Sequence, residues 1–159
     1  MDIAVVLGAA KEPMQLRLEE ALKEDYEQVI ITGTEEEMHF LDDKLENVNV
    51  ARYQAFSTFG NYVVVYNNTN PEDKLTFYGH ESHTQRMKVY QEHFDDRVIE
   101  NVVLPDPNLK PVYKAFDRFS ATVHRLALRF VPEIMEEQAR DRDSVLNRYV
   151  IPAKNRMVN

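Results

Sequence analysis

The chain has 159 residues, no cysteine and a formal net charge of −8. Without thiols, neither a disulfide framework nor a thiolate zinc site can form, and the acidic balance argues against general affinity for nucleic acid or an anionic membrane. The length suits one domain, no apolar run approaches the ~20 residues that span a bilayer, and no basic-then-apolar leader opens the chain, so a cytoplasmic protein is expected.

Strand-like and helix-like runs alternate. Ile3-Ala-Val-Val-Leu7 is a continuous apolar run ending at Gly8, as expected of a strand buried on both faces. Pro13 suits a first helical turn, and Met14, Leu18, Ala21 and Leu22 form the stripe behind it. Val29-Ile-Ile31 reads as a second strand, followed by Thr32-Gly33-Thr34. Thr34 and Glu37 have capping-box spacing ahead of the helical positions Met38, Leu41 and Leu45. Val48 to Ala51 is a weak third strand, Leu75 to Tyr78 a fourth, and Ile99 to Leu104 a fifth that stops at Pro105.

Tyr62-Val-Val-Val-Tyr66 has strong β propensity, yet the alternation requires a helix starting near Ser57 or Thr58. The expected architecture is therefore a Rossmann-like three-layer αβα sandwich around a mostly parallel five-stranded sheet. Residues 1–159 read as a single domain, with an α/β core to residue 105 and a helical extension over 106–159. In that extension Phe116, Phe119, Val123, Leu126 and Phe130 share a face, and Pro132 either starts a second helix or kinks this one.

The stretch Leu75-Thr-Phe-Tyr-Gly-His-Glu-Ser-His-Thr-Gln-Arg86 carries the chemistry. A strand ends in glycine, and Ser82 with Gln85 has capping-box spacing ahead of Met87, Tyr90 and Phe94. That puts His83 and Arg86 in a helix's first turn, beside free amides and the positive end of the dipole. An anion is then expected on the amides near Thr84 and Gln85 and on the Arg86 fork. His80, Glu81 and His83 crowd together, but His-Glu-Ser-His lacks the His-Glu-x-x-His spacing, so no metal site is expected. Neither a Lys-Ser/Thr phosphate loop nor a Gly-x-Ser-x-Gly elbow is present. His39 and His124 read as ordinary helix residues.

Taken in order, Val5-Val-Leu-Gly-Ala-Ala10, Arg17 ahead of Ala21, Ile30-Ile-Thr-Gly33 with Glu37, Ser57-Thr58-Phe-Gly-Asn61 and His83-Thr-Gln-Arg86 resemble the YdcF/SanA/ElyC-like family, a domain of unknown function. The resemblance spans roughly residues 3 to 105. It implies a Rossmann-like sheet with ligand-facing residues Gly8, Ala9, Arg17, Gly33, Thr34, Ser57, Thr58, Asn61, Ser82 and Arg86. Thr34-Glu-Glu-Glu37 stands where the family has Ser-Glu-Ala, so the equivalent acid is Glu36 or Glu37. Many relatives carry a membrane anchor and act in envelope polysaccharide or peptidoglycan metabolism, whereas a soluble relative is reported to bind S-adenosylmethionine, which makes that molecule a candidate cofactor.

Plainer readings stand beside these. Gly8 and Gly33 would end buried strands, Glu37 would cap a helix, Arg17 would sit on a solvated face, and Asn61 would be a turn residue. Two functions follow. In the first, an enzyme of hydrolase or transferase type acts on a phosphate- or nucleotide-bearing small molecule. There Arg17 and Arg86 hold the anion, His83 transfers a proton and Glu37 partners it. In the second, the chain binds or sequesters a nucleotide-like metabolite without chemistry. The helical tail either covers the site or meets another subunit in a homo-oligomer.

Overall fold

The computed structural model describes residues 1–140. In chain order the elements are β1 (Asp2–Val6), α1 (Lys11–Ala21), β2 (Gln28–Gly33), α2 (Glu35–His39), β3 (Val50–Gln54), α3 (Thr58–Asn68), β4 (Lys74–His80), α4 (Thr84–His93), β5 (Val98–Leu104), α5 (Pro111–Phe130) and α6 (Pro132–Arg140). Single 3₁₀ turns follow α2 and β4, at Asp42–Lys44 and Glu81–His83.

All five strands are parallel, in the order β3-β2-β1-β4-β5. The chain winds outward from β1 to β3, then crosses back to lay β4 on the other side of β1. The strand order therefore reverses between β1 and β4, and the crevice of an open α/β sheet lies outside the carboxyl ends of those strands.

Strand side chains alternate between two cores, as a sheet covered on both faces requires. Ile3, Val5, Ile30, Leu75 and Phe77 pack with residues of α3 and α4. Ala4, Val6, Val29 and Ile31 pack with Met14, Leu18 and Ala21 of α1 and with Leu41 and Leu45 beyond α2. The two faces thus match the αβα layering expected from the alternation.

The segment with the strongest β propensity is helical. Ser57 caps α3 by accepting from the Gly60 amide at 2.9 Å. Phe59, Tyr62 and Val63 then fall three and four residues apart and are buried against the sheet, with the Tyr62 ring stacked on Phe77 at 3.9 Å between centroids. The crossover from β3 to β4 overrides the preference of the valines for extended backbone. At the far end of α3, Arg97 donates to the carbonyls of Tyr66 and Asn70 and to Thr69 Oγ1, where the helix dipole is negative.

One local expectation is corrected. Ser82 and Gln85 do not form a capping box: a 3₁₀ turn occupies Glu81–His83, α4 begins at Thr84, and no side chain of that turn caps it. Phe116, Phe119, Val123, Leu126 and Phe130 do fall on one face of α5; it turns mostly away from the core, and α5 buries Asp117, Ser120, Ala121 and Leu128. At Pro132 a new helix starts. The expected extension beyond residue 140 lies outside the described residues.

Candidate functional site

Arg17 sits at the crevice. The apolar stripe of α1 holds the helix against the sheet, and Arg17, one position before Leu18, is carried inward with it to 2% exposure. Its Nη1 donates to the Leu7 carbonyl at 2.6 Å and to the Gly8 carbonyl at 3.4 Å, while Nε donates to His80 Nδ1 at 2.8 Å. One guanidinium thus ties the end of β1 to the end of β4. Its Nη2 has no hydrogen-bond partner among the described residues and is not sealed from solvent. Nor does any carboxylate there lie within ion-pair distance of Arg17.

Burial pushes the Arg17 pKa down to about 10, opposed by the negative charge of Glu37, so the group stays cationic at neutral pH. His80 is pushed down to about 4, first by burial and then by Arg17, with Asp106 acting in the opposite direction. Because Nδ1 accepts from Arg17, the neutral ring keeps its proton on Nε2.

Beside this pair the turns after β1 and β2 meet backbone to backbone. Thr34 and Glu37 form the expected capping box, with Glu37 Oε2 accepting from the Thr34 amide at 2.8 Å. That carboxylate lies over both glycines. A Cβ on Gly8 would stand 2.5 Å from it and 2.7 Å from Gly33 Cα; one on Gly33, whose φ is +144°, would stand 2.4 Å from it. Gly8 and Gly33 are required by this contact whether or not a ligand approaches. Glu37 is therefore the acid that faces the crevice, whereas Glu36 is exposed. Ala9 packs toward the α1 layer.

The turn after β4 holds an anion, and the anion is the protein's own. The Asp117 carboxylate of α5 accepts from the amides of Gln85 at 2.8 Å and Arg86 at 3.3 Å, and from Arg86 Nε at 2.9 Å. Arg86 Nη2 also reaches the Ser82 carbonyl and His83 Nδ1, and its guanidinium lies over the Phe116 ring. The site read for a ligand anion at Gln85 and Arg86 is thus occupied by Asp117.

Ser57, Thr58 and Asn61 form a third group at the start of α3. Ser57 is spent on the cap, and Gly60 lies against α6, where an added Cβ would stand 3.1 Å from the Ala139 carbonyl. Asn61 is 5% exposed, and its Oδ1 has no hydrogen-bond partner among the described residues.

All of these positions follow the carboxyl ends of strands. The closest association joins Gly8, Gly33, Glu37 and Arg17, with Ser82, His83 and Arg86 forming a separate cluster sealed by α5. His80 and Asp117 were not among the residues read as a site. His80 stands directly after Gly79 at the strand end, and Asp117 is the single acid in the helix from Pro111 to Phe130. An isolated carboxylate in a basic helix is a signal of internal pairing.

Among the described residues no group of three His, Asp or Glu could hold a metal ion, and no helix is long and apolar enough to cross a membrane. Comparison of the chain with protein-family models, with curated proteins and with solved structures finds no match. The resemblance to the YdcF/SanA/ElyC-like family therefore rests on the motif residues themselves.

Proposed function

We propose that the chain binds a phosphate- or nucleotide-bearing small molecule at the β1/β4 crevice, with Arg17 as its anion contact. The observation that carries this reading is the unbalanced guanidinium. A buried charge is costly unless it is paired, and among the described residues Arg17 has neutral hydrogen-bond partners only, with Glu37 acting on it from beyond ion-pair distance and one nitrogen left over. An anionic ligand supplies the missing partner, and the Nε2–H of His80 offers a second donor. Turnover of hydrolase or transferase type, with His83 as proton carrier and Glu37 as acid partner, would need a ligand that spans the two separate clusters in which these residues lie.

A specific observation favours the second reading, sequestration of a nucleotide-like metabolite such as S-adenosylmethionine without chemistry. His80 is held neutral, and His83 is bonded to an arginine that is itself paired with Asp117. A binding protein needs the anion contact but no titrating base.

Thermal shift and calorimetry against nucleotides, sugar phosphates and S-adenosylmethionine test the proposal, since a ligand specific for the native state raises Tm. At least one of these should stabilise the parent and fail to stabilise Arg17→Met. A parent indifferent to the whole panel overturns the reading. His83→Gln should spare binding in both cases and abolish turnover only in the enzyme.

A further inference from the structure

Helix α5 is divided lengthwise into three faces. One packs inward through Asp117, Ser120, Ala121 and Leu128. Another carries the exposed cations Lys114, Arg118, Arg125 and Arg129. The third carries Val112, Phe116, Phe119, Val123, Leu126 and Phe130, at intervals of four, three, four, three and four residues. Among the described residues most of this face is open: Val112 is 57% exposed, Phe119 69%, Val123 42%, Leu126 52% and Phe130 71%, while Phe116 is partly covered by Arg86.

That spacing is the narrow a/d seam of a helix pair, tighter than the broad stripe by which a helix faces a core. Ala115, Thr122 and Ala127 flank it and let a second helix come close. The cations lie along one side of the stripe only, away from the seam, whereas a helix lying on an anionic bilayer uses its basic residues as a whole polar face.

We propose that α5 pairs antiparallel with α5 of a second copy of this chain, about a two-fold axis at the level of Ala121. The argument is self-complementarity in size. In that register Val112 meets Phe130, Phe116 meets Leu126 and Phe119 meets Val123, so every phenylalanine faces an aliphatic side chain. A parallel pair would set each ring against its own copy and leave Val112 and Val123 as thin layers. An unrelated helix has no reason to match a palindrome of this kind, whereas a two-fold contact between identical surfaces requires one. From the exposures above, the five open side chains of each copy would bury on the order of 1,000 Å² in total, the size a specific interface must reach. The helix is already formed by its packing on α4, so its nucleation is not an added cost of association.

Sedimentation equilibrium across the micromolar range tests the pairing. The parent should tend to twice its 18.6 kDa chain mass. A Phe119→Glu, Leu126→Glu double variant should stay at one chain mass with an unchanged circular-dichroism spectrum, because both side chains point outward. The cysteine-free background allows a second measurement that does not depend on these variants. Chains carrying Val112→Cys and chains carrying Phe130→Cys should cross-link when mixed and not when oxidised separately. A parent that remains monomeric, a Val112→Cys chain that cross-links to itself, or a monomeric parent that sediments with phosphatidylserine vesicles overturns the proposal.

Discussion

Two arginines are buried to nearly the same depth at one edge of the sheet, and the protein balances them differently. Arg86, 5% exposed, has a carboxylate at 2.9 Å, a carbonyl at 3.0 Å and an aromatic face, all supplied by the chain. Arg17, 2% exposed, has two carbonyls and a neutral imidazole. Arg97 shows a third solution, the negative end of α3. Among the described residues Arg17 has no helix terminus of that kind and no carboxylate within ion-pair distance. The difference separates a guanidinium paired with a carboxylate of the chain from one that has neutral hydrogen-bond partners and feels only the more distant charge of Glu37.

The sharpest way to break the comparison is to remove the internal anion. Asp117→Ala strands a buried Arg86 and two amides of α4, and should lower the unfolding free energy by about 3–5 kcal/mol in chemical denaturation. Phosphate or sulfate should then recover part of the loss in the variant and little in the parent, because the vacated site is a helix N-terminus. If Asp117→Ala behaves like an ordinary surface substitution, Arg86 is not balanced by Asp117 and the contrast with Arg17 fails.

Next in size is the contact that shapes the crevice. Gly33→Ala forces a side chain into a positive φ and against the Glu37 carboxylate, and should cost about 1–3 kcal/mol. Arg17→Met comes third. It relieves a buried charge but orphans the Leu7 carbonyl and His80 Nδ1, so stability should fall by only about 1–2 kcal/mol while ligand-induced stabilisation disappears. A loss as large as that of Asp117→Ala would mark Arg17 as a structural residue like Arg86.

The layers and the parallel sheet were readable from the chain because buried parallel strands announce themselves as apolar runs between helical periods, whereas the order of the strands was not. Even the Tyr62 to Tyr66 segment followed once the crossover was required to be helical. The capping box at Thr34 and Glu37 depends on residues three apart and was readable too. What was not readable depends on long-range encounters. Asp117 lies 31 residues from Arg86 and displaces the local cap expected from Ser82. Arg17 meets His80 across 63 residues, and helical periodicity alone could not tell whether that arginine faced solvent or sheet. The outward turn of the Phe119 face was unreadable for a related reason: α5 meets the fold through Asp117, Ser120, Ala121 and Leu128, and periodicity alone does not say which face of a helix is turned inward.

The smallest expected effect is in the response to acid, where each arginine has a histidine companion. Burial, then the nearby guanidinium, lowers His80 beside Arg17 to about 4, and the same two causes lower His124 near Arg86 to about 4. From an ordinary value near 6.5 down to about 4, the unfolded chain binds protons at both rings that the folded chain refuses. The unfolded state gains from acid in that window, so Tm should decline as the pH falls through it and hold steady above it. Proton NMR of the imidazoles separates the two sites. Arg17→Met should move the His80 midpoint up and leave His124 in place, since only the first ring faces Arg17. An anion bound at Arg17 should do the same to the parent, raising His80 by offsetting the guanidinium charge. Phosphate that shifts His124 rather than His80 would relocate the anion to the Arg86 side and reverse the assignment drawn from the two arginines.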